Sequence, residues 1–215
     1  MASFMFHKPK GYLTARSDRT RPTIMCFFPA EAQAVLHPVG RLDLDTEGLL
    51  LLTDDGMLDH RLLRPEHRVE KIYRWRCFGR LDEDAMQALR RGVELEGLGC
   101  RSAPARARLL GYSTIVENEA MLPAKKHNHL MKNPQRPVTE GLLAVTEGRK
   151  HQIKLMIKAV GGHVFALKRL SIGSLVLDPA LGPGAFRALR AEEEALTAQP
   201  LQGPDPWPDC AFGPW

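Results

Sequence analysis

The sequence predicts an α+β protein built on a mostly antiparallel mixed sheet that is flanked by helices and loops. Two observations support this fold class: segments of strand length outnumber segments with helical spacing, and many of them are joined by short turns. The chain has 215 residues, of which 44% are hydrophobic and 26% charged. It is therefore long enough to bury a sizeable core and too hydrophobic to be disordered. No apolar run approaches the roughly 20 residues that span a bilayer, so we expect no membrane segment.

The predicted strands are apolar or alternating runs that end at turn signals. The first is interrupted by the turn Lys8-Pro9-Lys10-Gly11, and the second ends at Asp54-Asp55-Gly56. Residues 71–78 alternate apolar and basic side chains, as a half-buried strand does. The full set of predicted strands is 4–14, 49–53, 71–78, 105–110, 142–146, and one or two strands within 163–177.

The predicted helices rest on apolar spacing and on terminal signals. Gly92 follows residues 82–91 as a C-cap, and residues 149–160 place Ile153, Met156, Ile157 and Val160 on one face. The full set is 30–36, 58–63, 82–91, 149–160 and 191–196. We expect one domain over residues 1–197, with an irregular basic insertion at about 117–138, followed by an irregular Pro/Gly-rich tail at 198–215.

Positive charge is concentrated in the middle of the chain. The whole protein has 30 Lys and Arg against 25 Asp and Glu, a net charge of +5. Residues 101–154 alone contain ten basic and four acidic residues. This balance suits a phosphate backbone, although a solvated basic surface would look the same.

The four cysteines are far apart in sequence, which argues against a zinc site. The N-terminus has no secretory signal pattern, so we expect a cytoplasmic protein with reduced thiols.

A polar loop followed by an apolar strand, within residues 38–56, is the most informative stretch. It contains Arg41, Asp43, Asp45 and Glu47 before four consecutive leucines. Loops held by a rigid sheet often carry reactive side chains. Three other interpretations compete with this one: aspartates that only form turns, a calcium loop, and an Asp-x-Asp metal site. The calcium spacing fails because leucines occupy four ligand-loop positions, and no phosphate-binding loop accompanies the Asp-x-Asp pattern.

The run Gly40-Arg41-Leu42-Asp43, continuing from Thr46 to Gly56, resembles the active-site motif of pseudouridine synthases, most closely of the ribosomal RNA (RsuA-type) branch. Three other segments match motifs of this family in the same order. They are Lys8-Pro9-x-Gly11, Glu70-Lys71-x-Tyr73, and residues 147–154 continuing to 167–173. The resemblance implies the pseudouridine synthase fold, with an active-site cleft across the sheet.

The resemblance also implies roles for four residues. Asp43 matches the catalytic aspartate, and Lys154 matches the basic residue that keeps it ionised. Tyr73 matches the tyrosine that stacks on the flipped base, and Leu167 matches an apolar residue on the base's other side. Taken alone, Tyr73 and Leu167 would be read as core residues and Lys154 as a solvated helix lysine.

Several cations are candidates for substrate binding. Arg41 would enter the space left by the flipped nucleotide or hold a phosphate, unless it forms an ion pair with Asp45 or Glu47. The other candidate phosphate contacts are Lys8, Lys10, Arg149, Lys150 and Arg169.

The function that the resemblance implies is isomerisation of a uridine in ribosomal RNA to pseudouridine. Lys154, in place of the Arg of many relatives, favours 16S rRNA. The alternatives are a 23S rRNA enzyme, a non-catalytic RNA-binding or ribosome-assembly protein of the same fold, and glycoside hydrolysis by Asp43 and Asp45.

We expect no cofactor or metal, rRNA as the partner (free or in a pre-ribosomal particle), no membrane, and a monomer. Because Lys8-Pro9 falls near the start of the sequence, we also expect the small helical RNA-binding module of such relatives to be absent. The basic insertion is predicted to supply part of the RNA affinity.

Overall fold

A computed structural model describes residues 2–197, 207 and 215. The strands, in chain order, are β1 Ser3–Lys8, β2 His37–Val39, β3 Glu47–Thr53, β4 Lys71–Phe78, β5 Glu94–Leu95, β6 Cys100–Arg101, β7 Arg106–Thr114, β8 Pro137–Val145, β9 His163–Ile172, β10 Leu175–Val176 and β11 Phe186–Ala188. The α-helices are α1 Ala30–Val35, α2 Gly56–Leu63, α3 Glu83–Arg91, α4 His127–Leu130, α5 Gln152–Ala159 and α6 Ala191–Thr197. Short 3₁₀ helices cover Ile24–Phe27, Pro65–His67, Val116–Met121 and Ala124–Lys126.

The chain divides into two compact units, which are Met1–Ile72 with Lys168–Trp215, and Tyr73–Leu167. In unit 1, β1 pairs antiparallel with β3 and β11, and β2 pairs antiparallel with β3. The end of β9 pairs parallel with β3, which places Gly48 opposite Arg169. Both orientations therefore occur, with antiparallel pairs in the majority, as the sequence predicted.

The four leucines of β3, residues 49–52, are fully buried. Leu49 and Leu51 pack with Met5 and with residues of α2, so one face of β3 is covered. Strands buried on both faces are continuous apolar runs rather than alternating ones, which explains this sequence.

In unit 2, β4, β8 and β7 lie side by side, and β8 pairs antiparallel with β7. Trp75 of β4 is fully buried in a core that includes Met86 of α3 and Met156 of α5. Gly141 makes room for this indole ring, because a Cβ there would come within 2.9 Å of a Trp75 ring carbon. Side chains alternate along a strand, so Arg74 and Arg76 lie on the other face, where both bind Glu140.

Two sequence predictions are corrected by the structure. The segment 117–138 is not irregular: it holds 3₁₀ helices, α4 and the start of β8. The helix predicted over 149–160 begins only at Gln152, because His151 adopts a left-handed conformation with φ 56°. Left-handed residues do not continue a right-handed helix.

The predicted strand 71–78 is confirmed at both ends, and the helix predicted over 82–91 is observed over Glu83–Arg91, with Gly92 as its C-cap. Within the described part of the chain, none of the helices has both the length and the apolar character required to cross a membrane. The tail predicted at 198–215 lies outside the described residues, apart from positions 207 and 215.

Candidate active site

The loop that carries Asp43, residues 40–46, is fixed by its backbone. Thr14 is buried and bonds both backbone groups of Leu42: its Oγ1 donates to the carbonyl at 2.8 Å and accepts from the amide at 3.2 Å. Gly11 donates its amide to the carbonyl of Leu44 at 2.7 Å. Within the loop, the amide of Thr46 donates to the carbonyl of Asp43 at 3.1 Å. The backbone on both sides of Asp43 is therefore held in place by hydrogen bonds.

The side chain of Lys8 also stabilises the backbone of this loop. Its side chain is fully buried, and its Nζ donates to the carbonyls of Pro9 at 3.0 Å, Asp43 at 3.1 Å and Thr46 at 2.8 Å. Burial of the ammonium lowers the pKa of Lys8 to about 8, against the opposing pull of nearby carboxylates led by Asp45. The prediction that Lys8 contacts an RNA phosphate is wrong, because its three donors point at the protein's own backbone.

Arg169 is likewise directed inward. Its side chain is 3% exposed, and its Nε donates to the carbonyl of Leu49 at 2.8 Å. A Cβ at Gly48 would lie 2.6 Å from the amide nitrogen of Arg169, so only glycine allows this approach of the two strands. The Nε of Arg169 thus stabilises the strand that follows the loop, whereas its Nη2 is buried and forms no hydrogen bond within the described part of the chain, so the predicted phosphate contact by Arg169 stays a prediction.

The charged side chains at positions 41–47 differ in their exposure to solvent. Asp43 and Glu47 are half-buried, whereas Arg41 and Asp45 are exposed. For Arg41, the choice between an RNA contact and an ion pair with Asp45 or Glu47 stays a prediction. The calcium-loop interpretation is excluded, since its later positions are the buried residues of β3.

The other predicted residues lie in unit 2. Tyr73, on β4, is partly buried and packs against the same apolar core that contains Leu167 of β9. Lys154 is half-buried on α5, between the core residues Ile153 and Met156. The structure thus brings Tyr73 and Leu167 into one cluster; the predicted approach of Lys154 to Asp43 stays a prediction.

The segment before α5 is organised by a carboxylate to which the sequence assigned no role. Glu147 accepts from the backbone amide of Ala103 at 3.0 Å and from the side chain of Gln152 at 2.7 Å. It also pairs with Arg149 at 3.1 Å. Partial burial acts to raise the pKa of Glu147, but these donors together outweigh it and leave the pKa lowered. Arg149 and Lys150 remain exposed, as substrate-binding cations must be.

Two supports of the loop, Thr14 and the amide of Gly11, could not be identified from the sequence. Gly11 stands within a recognised motif, but its partner Leu44 cannot be found from spacing alone. Thr14 carries no sequence signal at all, because its role depends on a tertiary contact 28 residues away along the chain.

A carboxylate-bearing loop with a hydrogen-bonded backbone precedes a buried strand of a mixed sheet, and together with the sequence motifs this fold defines an RNA-modifying enzyme of the isomerase class. The chain belongs to the RNA pseudouridylate synthase family, whose sequence profile matches residues 3–159. It is accordingly an enzyme that converts uridine in RNA to pseudouridine, and the predicted family and fold class are confirmed.

Individual relatives agree with this assignment. A Bacillus subtilis protein described as the uncharacterized RNA pseudouridine synthase YtzG is 39% identical over 197 residues, which is 91% of this chain and 73% of that protein. The ribosomal small subunit pseudouridine synthase A of Escherichia coli is 35% identical over 192 residues, 89% of this chain and 72% of its own length. A crystal structure of a pseudouridylate synthase superposes with a TM-score of 0.75 at 33% identity, covering 91% of this chain and 73% of the other.

Proposed function

We propose that this enzyme isomerises one uridine of small-subunit ribosomal RNA. The support is the name carried by the E. coli relative, together with a lysine rather than an arginine at position 154. We further propose that it acts as a monomer in the cytoplasm on rRNA that is free or in a pre-ribosomal particle.

The reaction that the site must support rearranges bonds without a net redox change. The bond between N1 of uracil and C1′ of ribose breaks, the base turns, and C5 bonds to C1′. C5 loses its proton, and N1, which carries no proton in uridine, gains one, so the numbers of atoms and electrons are unchanged. Neither an electron carrier nor a phosphoryl donor enters this balance, so the proposed mechanism needs no cofactor.

Asp43 is the proposed catalytic group, as a nucleophile toward the sugar or as a base that removes a proton from it. The observation that supports this role is the set of hydrogen bonds to the backbone of residues 42–46, which holds in place the loop that carries this half-buried carboxylate. A preorganised group needs no further ordering in the transition state.

Residues of unit 2 are proposed to handle the flipped base. Tyr73 would stack on the uracil ring and Leu167 would pack against its other face, which offsets the lost base stacking. Lys154 would keep Asp43 ionised through its positive charge. Arg41, Arg149 and Lys150 are exposed and are the proposed phosphate contacts.

The experiment compares Asp43→Asn with Asp45→Asn on a 16S rRNA transcript. Pseudouridine is quantified by carbodiimide labelling and primer extension. Loss of a catalytic carboxylate should reduce the single-turnover rate by at least about 10³-fold. Asp45→Asn is the matched control, because it makes the same change on an exposed residue of the same loop, and we expect it to stay within about fivefold of the wild-type rate.

Full activity of Asp43→Asn would refute the catalytic assignment. If both variants are equally inactive, the two carboxylates act together and the single-aspartate mechanism is wrong. Mapping of pseudouridine in rRNA from cells with and without the gene tests the substrate, and a site that disappears from 23S rather than 16S rRNA would overturn that part of the proposal.

A further inference from the structure

Residues 116–136, which we call the basic arm, are an ordered element of unit 2. The arm contains two 3₁₀ helices and α4, and its Leu122 and Leu130 are buried. These leucines pack in one apolar cluster with Ile115, Phe78 and Val138. The arm is therefore attached to the sheet through its own small core.

A hydrogen-bonded network fastens the start of the arm to the sheet. Asn118 is 3% exposed, and its Nδ2 donates to Ser113 Oγ at 2.8 Å and to the carbonyl of Thr114 at 2.7 Å. Its Oδ1 accepts from Nη1 of Arg76 at 2.8 Å, and the Nε of Arg76 donates to Glu140 at 2.9 Å. Both donors of the Asn118 side chain and its oxygen are thus used by the protein, so this residue positions the arm rather than a ligand.

The surface of the arm has a net positive charge that is concentrated after residue 121, since its exposed glutamates, Glu117 and Glu119, both lie in the first 3₁₀ helix. Residues 122–136 contain no Asp or Glu, and all of their Lys and Arg side chains are exposed; these are Lys125, Lys126, Lys132 and Arg136. The arm also lies in the basic unit of the protein. Unit 2 contains sixteen Lys and Arg against nine Asp and Glu, whereas the rest of the chain contains fourteen against sixteen.

Fixed cations differ physically from a flexible basic tail. Four like charges within fifteen residues repel each other, and the protein nevertheless holds them in place with buried leucines and a buried amide. Positions that are set before binding reduce the ordering cost when a polyanion with regularly spaced charges is bound. A phosphodiester backbone is such a polyanion, and it is already the chemistry of this enzyme's substrate.

We propose that the basic arm is a second RNA-binding surface, which holds phosphates of the rRNA substrate away from the target uridine and is positioned by Asn118. This inference rests on the proposed rRNA substrate and adds to it the part of the chain that supplies affinity. It predicts that the arm determines RNA affinity and its salt dependence, and that Asp43 and its neighbours determine the chemical step.

The test measures binding of a fluorescently labelled 16S rRNA fragment at several salt concentrations. The variant is Lys125→Gln/Lys126→Gln/Lys132→Gln. If each lysine neutralises one phosphate, the slope of log K against log salt should become shallower by about 2–3, and affinity at 0.1 M salt should fall by about 30–200-fold. The control is Arg19→Gln/Arg21→Gln/Arg64→Gln, which removes the same charge from exposed positions of unit 1 and should leave the slope unchanged.

A second variant, Asn118→Ala, keeps every cation and removes only the fastening. If the arm works through its fixed position, this variant should weaken RNA binding by about fivefold and raise KM rather than lower kcat, with an unchanged circular dichroism spectrum. Wild-type affinity in both the triple variant and Asn118→Ala would overturn the proposal, as would an equal loss in the unit 1 control.

Binding and product formation fail independently in this design. An enzyme that binds rRNA with the expected salt dependence but forms no pseudouridine would refute the proposed function and still support the RNA-binding role of the basic arm. An active enzyme whose salt slope is the same with and without the three lysines would refute only the RNA-binding role of the basic arm. If the arm instead serves an acidic protein, RNA affinity will not respond to the lysines, which also overturns it.

Discussion

Replacing Lys8 by Met tests whether this lysine supports the active-site loop or contacts RNA. The three hydrogen bonds of its ammonium would be lost, and the carbonyls of Pro9, Asp43 and Thr46 would be left without this donor. At about 2 kcal/mol for each charged donor, the loss is about 6 kcal/mol. Burial of the ammonium, which lowers the pKa of Lys8 to about 8, is relieved in the variant, and this offsets about 3 kcal/mol of the loss.

The net effect of Lys8→Met is thus about 3 kcal/mol against the observed conformation of the loop, and it falls on the position of Asp43. If the reaction requires this conformation, the single-turnover rate at saturating RNA should decrease by about 100-fold, with KM and the salt slope of binding unchanged. The rate of the wild type should also fall above pH 8, because Lys8 then loses its proton and the neutral amine has one hydrogen-bond donor fewer. The rate of Lys8→Met should not depend on pH in this range.

The control is Lys10→Met, a partly exposed lysine two residues away. It should leave the rate at saturating RNA unchanged. If Lys8→Met raises KM and flattens the salt dependence while the saturated rate is preserved, Lys8 is a phosphate contact and does not support the loop.

Two further predictions concern stability and are read by urea unfolding. Gly48→Ala should destabilise the protein by more than about 3 kcal/mol, because φ of Gly48 is 109° and the new Cβ would collide with the backbone of Arg169. The control is Gly56→Ala, which has open space around the new Cβ and should change the free energy of unfolding by less than about 1 kcal/mol. Equal effects of the two substitutions would refute the packing argument. Lys71 is buried, and its Nζ donates a hydrogen bond to the carbonyl of Val69. Burial lowers the pKa of Lys71 to about 8 in the folded state. Between pH 8 and 10.5 the unfolded chain therefore binds more protons than the folded chain, so the free energy of unfolding of the wild type should rise with pH in this window. Lys71→Met should be about 1–2 kcal/mol more stable than the wild type at pH 7, and its free energy of unfolding should rise less with pH. An unchanged slope in this variant would show that Lys71 does not cause the pH dependence.

The elements that the sequence predicted correctly are those whose periodicity is set by a single core. Residues 71–78 alternate because one face of β4 packs on the core around Trp75, and the predicted and observed bounds agree. The family motifs likewise located the Asp43 loop and the strand after it. These signals are local, so they can be read without knowledge of tertiary contacts.

The errors arose where tertiary structure changes the meaning of a residue type. Lys8 and Arg169 were predicted to be surface cations, yet both are buried and serve backbone carbonyls. Charge alone does not predict burial, because a buried cation is rare and depends on partners that are distant in sequence. The short helices of the basic arm were missed for a related reason: three to six residues are too few to show a helical period.

The leucine strand that follows the Asp43 loop has a consequence for how the enzyme can change. A strand with no face in water tolerates neither polar substitution nor a shift of register, and Asp43 is joined to it by three residues. Mutations that move the backbone of Asp43 must therefore disturb the interior of the fold as well. The exposed cations of unit 2 are not under this constraint, so substitutions there can change the surface charge without disturbing the core.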